Sequence, residues 1–118
     1  MDRILVLDDE KLIRWSLLHI LQADGYEVDL AATMEEASRL VRSNSYRLIL
    51  ADLEVFEDQA KPFFAGLSKD QARTKVIIMT ALSRDLAESQ LGDFMAFQIV
   101  EKPFASEQIR SLVKEALI

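Results

Sequence analysis

Short apolar runs alternate with amphipathic stretches along the whole chain. Five runs rich in Ile, Leu and Val stand out: RILVL (3–7), YEVDLA (26–31), YRLILA (46–51), KVIIMT (75–80) and FQIVEK (97–102). Their starts lie 20 to 29 residues apart, which leaves room for one helix between each pair and predicts five βα units. Four runs are continuously apolar, as strands covered on both faces are. EVDLA alternates and reads as an edge strand.

The segments between carry helical period. Ile13, Leu17, Ile20 and Leu21 share one face, as do Ile109, Leu112, Val113, Ala116 and Leu117 near the end. TMEE (33–36) has the form of a capping box, opening a helix that presents Ala37, Leu40 and Val41. Pro62 suits a first helical turn, so a third helix starts near it and 53–61 reads as a loop. Gly92 is a stop for the fourth helix. No repeat, linker or low-complexity segment interrupts the pattern, and residues 1–118 read as a single α/β domain.

Composition narrows the function. Half of the 118 residues are apolar and 29% are charged, with 3 Gly and 2 Pro, which gives a globular domain with a core. A net charge of −6 without a basic cluster argues against direct nucleic acid contact and against an anionic membrane surface. The absence of Cys excludes disulfides, thiolate catalysis and Cys-ligated zinc. MDRILVLDDE lacks the pattern of a signal peptide, and no apolar run reaches membrane-spanning length. The expected location is cytoplasmic.

Chemistry gathers where the strands end. Strand one runs into Asp8, Asp9 and Glu10, strand three into Asp52, strand four into Thr80 and Ala81, and strand five into Lys102 and Pro103. The carboxyl ends of parallel strands line the ligand crevice of such a sheet, so acids, a hydroxyl and an ammonium should converge on one rim. Clustered carboxylates repel unless a cation joins them, and Mg²⁺ is the common hard cation for oxygen ligands. With a lysine and a threonine at hand, the set suits phosphoryl transfer to a carboxylate. Asp52 taken alone could equally be a solvated strand end.

The segments LVLDDEKLIRW, LILAD, VIIMTA and EKPF stand in order, with 43 residues from Asp9 to Asp52, 28 from Asp52 to Thr80 and 22 from Thr80 to Lys102. On these the chain resembles a receiver domain of two-component response regulators over essentially its whole length. DDEKLIRW, IIMTA and KPF look closest to receivers of sigma-54-dependent, nitrogen-regulator-type activators. The resemblance implies a flavodoxin-like, doubly wound parallel sheet of strand order 2-1-3-4-5 in a three-layer sandwich. It also implies that Asp52 is the phosphoacceptor, that Asp9 binds Mg²⁺ directly and Asp8 through water, and that the backbone carbonyl of Glu54 completes the ligands. Thr80 would contact the phosphoryl group, Lys102 would pair with Asp52 and then with phosphate, and the Lys102–Pro103 bond would be cis. The implied partner is a sensor histidine kinase, and the implied signalling surface is the fourth helix, fifth strand and fifth helix, through which a homodimer would form. The output would be regulation of transcription through an effector domain outside this chain, and the domain would be no enzyme beyond its own phosphorylation and dephosphorylation.

The sequence departs from that pattern in three places. Receivers follow the acceptor with a Met-Pro and soon an Asp-Gly, but here the run is Leu53, Glu54, Val55, Phe56, Glu57, Asp58, Gln59, Ala60. The switch aromatic, three positions before the lysine, is Ile99; Phe97, two residues earlier and on the same face by strand alternation, is the candidate substitute. The Gly-Ala before the last strand reads Met95-Ala96. These changes favour an alternative reading, a pseudo-receiver that acts as a phosphorylation-independent interaction module. An Asp-nucleophile phosphohydrolase would need a second Asp at Glu54, and a flavin module would need a hydroxyl-rich loop where DDEK stands. Glu10, Glu57 and Asp58 read as solvated loop acids, and His19 as a surface residue without a role. Trp15 reads as packing, one of Phe63 and Phe64 as core, and Phe94 and Met95 as core.

Overall fold

The computed structural model describes residues 2–70 and 73–118, with the backbone alone at 68–70. The elements in order are β1 (Arg3–Leu7), α1 (Lys11–Ala23), β2 (Glu27–Ala31), α2 (Met34–Ser43), β3 (Leu48–Asp52), a 3₁₀ turn (Leu53–Phe56), α3 (Ala60–Asp70), β4 (Lys75–Thr80), α4 (Arg84–Leu91), β5 (Gln98–Glu101) and α5 (Ser106–Ala116). All strand pairs are parallel and the order is β2-β1-β3-β4-β5, the flavodoxin-like arrangement. Among the described residues no helix is long and apolar enough to cross a membrane.

Strand alternation splits the core into two layers. Ile4, Val6, Leu48, Leu50, Ile77, Met79 and Val100 meet Leu17 and Leu21 of α1 and Ile109, Val113 and Ala116 of α5. Leu5, Leu7, Ile49, Ala51 and Ile78 meet Ala37 of α2, Phe64 and Leu67 of α3, and Ala87 and Leu91 of α4. Burial on both faces explains why β1, β3 and β4 read as unbroken apolar runs. FQIVEK does not fit that expectation: β5 is the second edge of the sheet and only Val100 in it is buried, with Ile99 partly buried against the opposite layer.

Local signals account for the helix ends. Thr33 caps α2, its Oγ1 accepting from the Glu36 N–H at 3.2 Å, while the Glu36 carboxylate accepts from the Ala32 N–H one residue before the cap. Gly92 ends α4 at φ +64°, a backbone conformation that calls for glycine. Pro62 lies in the first turn of α3, where its missing N–H leaves no bond unmade.

The segment after Asp52 is more ordered than a plain loop. Leu53 and Phe56 are buried, and Phe56 packs against Phe63 at 4.9 Å and Phe64 at 5.1 Å, with Phe94 stacked on Phe64 at 4.5 Å. The chain then reverses through Glu57, at φ 53° and ψ −111°, with Gln59 N–H donating to the Phe56 carbonyl at 2.7 Å. That is the first central position of a type II′ turn, normally glycine. Two expected core residues are instead outside: Trp15 is 54% exposed, with its ring edge against exposed His19 on the solvent side of α1, and Met95 is 87% exposed because it precedes β5 in the turn after α4.

Two outcomes follow. Glu57→Gly should stabilise the domain by about 1 kcal/mol in urea unfolding, since relief of the positive φ exceeds the added freedom of the unfolded chain. The Arg110 guanidinium hydrogen-bonds Asp24 at 2.8 and 3.1 Å and holds its carboxyl below the usual range. A depressed carboxyl stabilises above its unfolded pKa and loses that contribution as pH falls through its folded value. Arg110→Gln should therefore be less stable than the parent at pH 7, with the gap closing below the ordinary Asp range in an acid titration of unfolding.

Candidate functional site

Four strands deliver their last residues to one rim of the sheet. Asp8 follows β1, with its N–H bonded to the Ala31 carbonyl at 3.1 Å and its own carbonyl held by the Arg14 guanidinium at 2.8 Å. Asp52 closes β3 and caps the 3₁₀ turn, its Oδ1 accepting from the Glu54 N–H at 3.3 Å. Lys102 is pinned by its N–H to the Thr80 carbonyl at 2.7 Å, and the Lys102–Pro103 peptide bond is cis.

The side chains meet there. Lys102 Nζ lies 2.8 Å from Asp8 Oδ2, 3.3 Å from Asp52 Oδ2 and 3.7 Å from Glu10 Oε1. Asp8 and Thr80 are fully buried and Asp52 is 3% exposed. Asp9 is exposed, yet one carboxylate oxygen from each of Asp8, Asp9 and Asp52 falls within 4.8 Å of the others. Two buried acids and an exposed one with converging oxygens, open to solvent on the Asp9 side, form a donor set that fits a hard divalent cation.

Electrostatics follow from this crowding. Burial raises the Asp52 pKa well above the usual carboxylate range; a hydrogen bond to Glu54 and the Asp8 charge add to it, and Lys102 opposes it. Burial works against the Lys102 charge, but the Asp8 hydrogen bond and the Asp52 and Asp8 charges outweigh it, and its pKa stands above its ordinary value. The site is an acid cluster with one fixed cation inside it.

Of the residues singled out in the sequence, Asp8, Asp52 and Lys102 are in direct contact, with Asp9 beside them. Thr80 is engaged with Glu54 rather than with Asp52 or Lys102: its Oγ1 donates to Glu54 Oε1 at 2.8 Å and accepts from the Leu82 N–H at 3.0 Å. The Glu54 carbonyl, expected to face a cation, accepts from the Glu57 N–H at 3.3 Å. Its side chain was missed as a functional group. The same Oε1 also accepts from the Ala81 N–H at 2.8 Å. An acid two residues beyond a strand-end acid, in a segment without glycine, was the available signal. Glu10 was read as solvated, and it does add an outer charge near Lys102.

Phe97 does not share a face with Ile99. Ile99 pairs with Ile78 and packs on the α3–α4 layer, whereas Phe97 packs with the α1–α5 layer, its ring under Lys75 Nζ at 4.9 Å. Alternation fails because Phe97 lies one residue before β5 begins. Its ring lies in the core layer opposite Ile99.

Removing the cation from this cluster would leave two buried carboxyls without a compensating charge. Lys102→Met should lower stability by about 3 kcal/mol at neutral pH in urea unfolding. Added divalent cation should recover part of that loss, which a simple packing defect would not show.

Comparison with known proteins gives this geometry a family. Residues 4–114 match the response regulator receiver domain. The transcriptional regulatory protein PmrA of Pectobacterium parmentieri is 31% identical over 114 residues, covering 95% of this chain and 50% of that protein. BasR of Escherichia coli is 26% identical over 117 residues, covering 98% and 52%. The chain thus spans about half the length of the curated relatives it matches. Among solved structures, the response regulator TrrA of Thermotoga maritima, in complex with Mg²⁺ and BeF, has a TM-score of 0.80 and 34% identity, covering 98% of this chain and 99% of that one. A CheY-like receiver domain protein from Methanospirillum hungatei has a TM-score of 0.85 and 26% identity, covering 99% and 94%. These relatives include PmrA- and SrrA-type regulators, and the likeness to nitrogen-regulator receivers rests on the quoted motifs alone. The chain belongs to the response regulator receiver domains, signalling modules of two-component systems.

Proposed function

We propose that this domain accepts a phosphoryl group on Asp52 from the phosphohistidine of a sensor kinase, with Mg²⁺ as cofactor. The observation that carries the reading is the contact of Lys102 with both Asp8 and Asp52, inside a cluster whose three carboxylates converge. Asp8, Asp9 and Asp52 would hold the cation, together with the second lone pair of the Glu54 carbonyl. When bound, the cation supplies charge neutralisation for an incoming phosphoryl group.

The chain's own groups do the rest. An Asp52 carboxylate oxygen attacks phosphorus, the donor's N–P bond breaks, and the histidine nitrogen leaves with the bonding pair and takes up a proton. Lys102 screens the negative charge that accumulates and pairs with the phosphoryl oxygens. Thr80 Oγ1 and the Ala81 N–H are donors aimed at the same mouth. Beside Lys102, a cleft of about 550 Å³ lined by Ile13, Leu17, Ile20 and Phe104 supports docking of a kinase on α1 and the turn before α5. A cytoplasmic location, an output through transcription in the intact protein and a homodimer through α4, β5 and α5 complete the proposal.

A second reading, an interaction module that works without phosphate, is favoured by the Glu54 contacts with Thr80 and Ala81. The two part on one experiment. With Mg²⁺ and a small phosphodonor such as phosphoramidate, mass spectrometry should find one phosphoryl group on Asp52 and none in Asp52→Asn. A parent protein that stays unmodified would leave the second reading standing. Separately, millimolar Mg²⁺ should raise the melting temperature of the parent and not of Asp9→Ala.

A further inference from the structure

We infer that the Glu54 carboxylate is a built-in occupant of the phosphoryl-oxygen position, a latch across the acceptor's mouth that must swing away before Asp52 can be phosphorylated. The inference rests on the phosphoacceptor reading above and adds a mode of regulation to it.

Three features carry it. First, one carboxylate oxygen takes both donors on the far side of the pocket, at 2.8 Å from Thr80 Oγ1 and 2.8 Å from the Ala81 N–H. Those are the donors a phosphoryl oxygen would need, and an anion with two acceptor-only oxygens is the chemistry they fit. The Thr80 hydroxyl has a single O–H to give, and Glu54 takes it, while one lone pair accepts from the Leu82 N–H at 3.0 Å. Thr80 is therefore held in an anion-engaged position by the chain's own Glu54.

Second, Glu54 is fixed from behind. Its N–H is bonded to Asp52, and the turn that carries it is anchored by buried Leu53 and Phe56. The side chain itself is exposed, and its hydrogen bonds to Thr80 and Ala81 hold it across the mouth.

Third, the way out is open but acidic. A cleft of about 430 Å³ beside the site is lined by Glu54 itself with Asp9, Thr33, Glu35, Glu57 and Gln59. The volume admits the displaced side chain. The three neighbouring carboxylates repel it, which biases Glu54 toward Thr80 until cation at Asp9 weakens the repulsion. A phosphoryl group on Asp52 and a carboxylate on Thr80 would put two anions on one pair of donors, so each excludes the other.

The test uses the whole chain, with Glu54→Ala and the shape-keeping Glu54→Gln. Beryllofluoride with Mg²⁺, read by fluorine NMR, is the phosphoryl probe. Glu54→Ala should bind it roughly tenfold more tightly than the parent, with Glu54→Gln between them. In the metal-free protein the Ala81 amide should exchange with solvent several-fold faster in Glu54→Ala than in the parent. Equal or weaker beryllofluoride binding by Glu54→Ala, or an unchanged Ala81 amide, would overturn the latch while leaving the phosphoacceptor reading intact. Binding by neither protein, or binding that survives Asp52→Asn, would remove the phosphoacceptor reading, and the latch with it.

Discussion

A lysine cation inside a buried pair of acids governs how this sheet edge is built. Asp8 and Asp52 end neighbouring strands, and parallel strands lie about 5 Å apart, so the fold forces their carboxyls together. Without a compensating charge the pair would have to take up a proton or part. Lys102 resolves this from two strands further along, 94 residues from Asp8 in sequence. Its backbone is tied to the end of β4, which leaves its stem the task of reaching across β4 and β3. The contact therefore tests the whole strand order: a sheet arranged otherwise would put the cation out of reach.

The same rim shows how a receiver keeps its acid–lysine cluster while the neighbouring loop changes. Where family members place Met-Pro and then glycine, this chain uses aromatic packing. Phe56 fills the space beneath the loop against Phe63 and Phe64, and burial of such a ring is worth about 2–3 kcal/mol. The reversal then falls on Glu57 at positive φ, a strain that the packing on either side tolerates. One result is the exact placement of a side chain: a 3₁₀ turn rather than a free loop holds Glu54 over Thr80. The rewritten segment is thus coupled to the Thr80 end of the site through geometry, and its acids are not interchangeable. Glu54 is hydrogen-bonded at the mouth, Glu57 serves a turn, and Asp58 faces solvent beside Gln59.

The fold was legible because its signals are local and redundant. Strand runs at 3–7 and 75–80 needed no adjustment, and Thr33, Pro62 and Gly92 each act at a helix end through backbone chemistry that a sequence states directly. The acid–lysine cluster was legible because strand ends of a parallel sheet share a rim whatever fills the helices. What escaped were side-chain directions set by tertiary packing. Trp15 is apolar and helical, but whether it faces the sheet depends on the roll of α1, which Leu17 and Leu21 decide. Phe97 follows alternation only if the strand includes it, and β5 begins one residue later. Glu54 belonged to a segment read as loop, and a loop reading carries no side-chain direction.

That last point bears on how the site speaks to the rest of the domain. A ring that rotates inward as threonine moves is unavailable here: Ile99 is β-branched, stiff at χ1 and packed beside Ile78. Phe97 lies in the opposite layer. The Thr80 hydroxyl, however, touches two things at once, the Glu54 carboxylate and the N–H of Leu82. Leu82 directly precedes Ser83, whose Oγ caps α4 by accepting from the Leu86 N–H at 3.4 Å. The Glu54 carboxylate, the Thr80 hydroxyl and the Leu82 N–H form one hydrogen-bonded chain, and it stops one residue short of the Ser83 cap of α4.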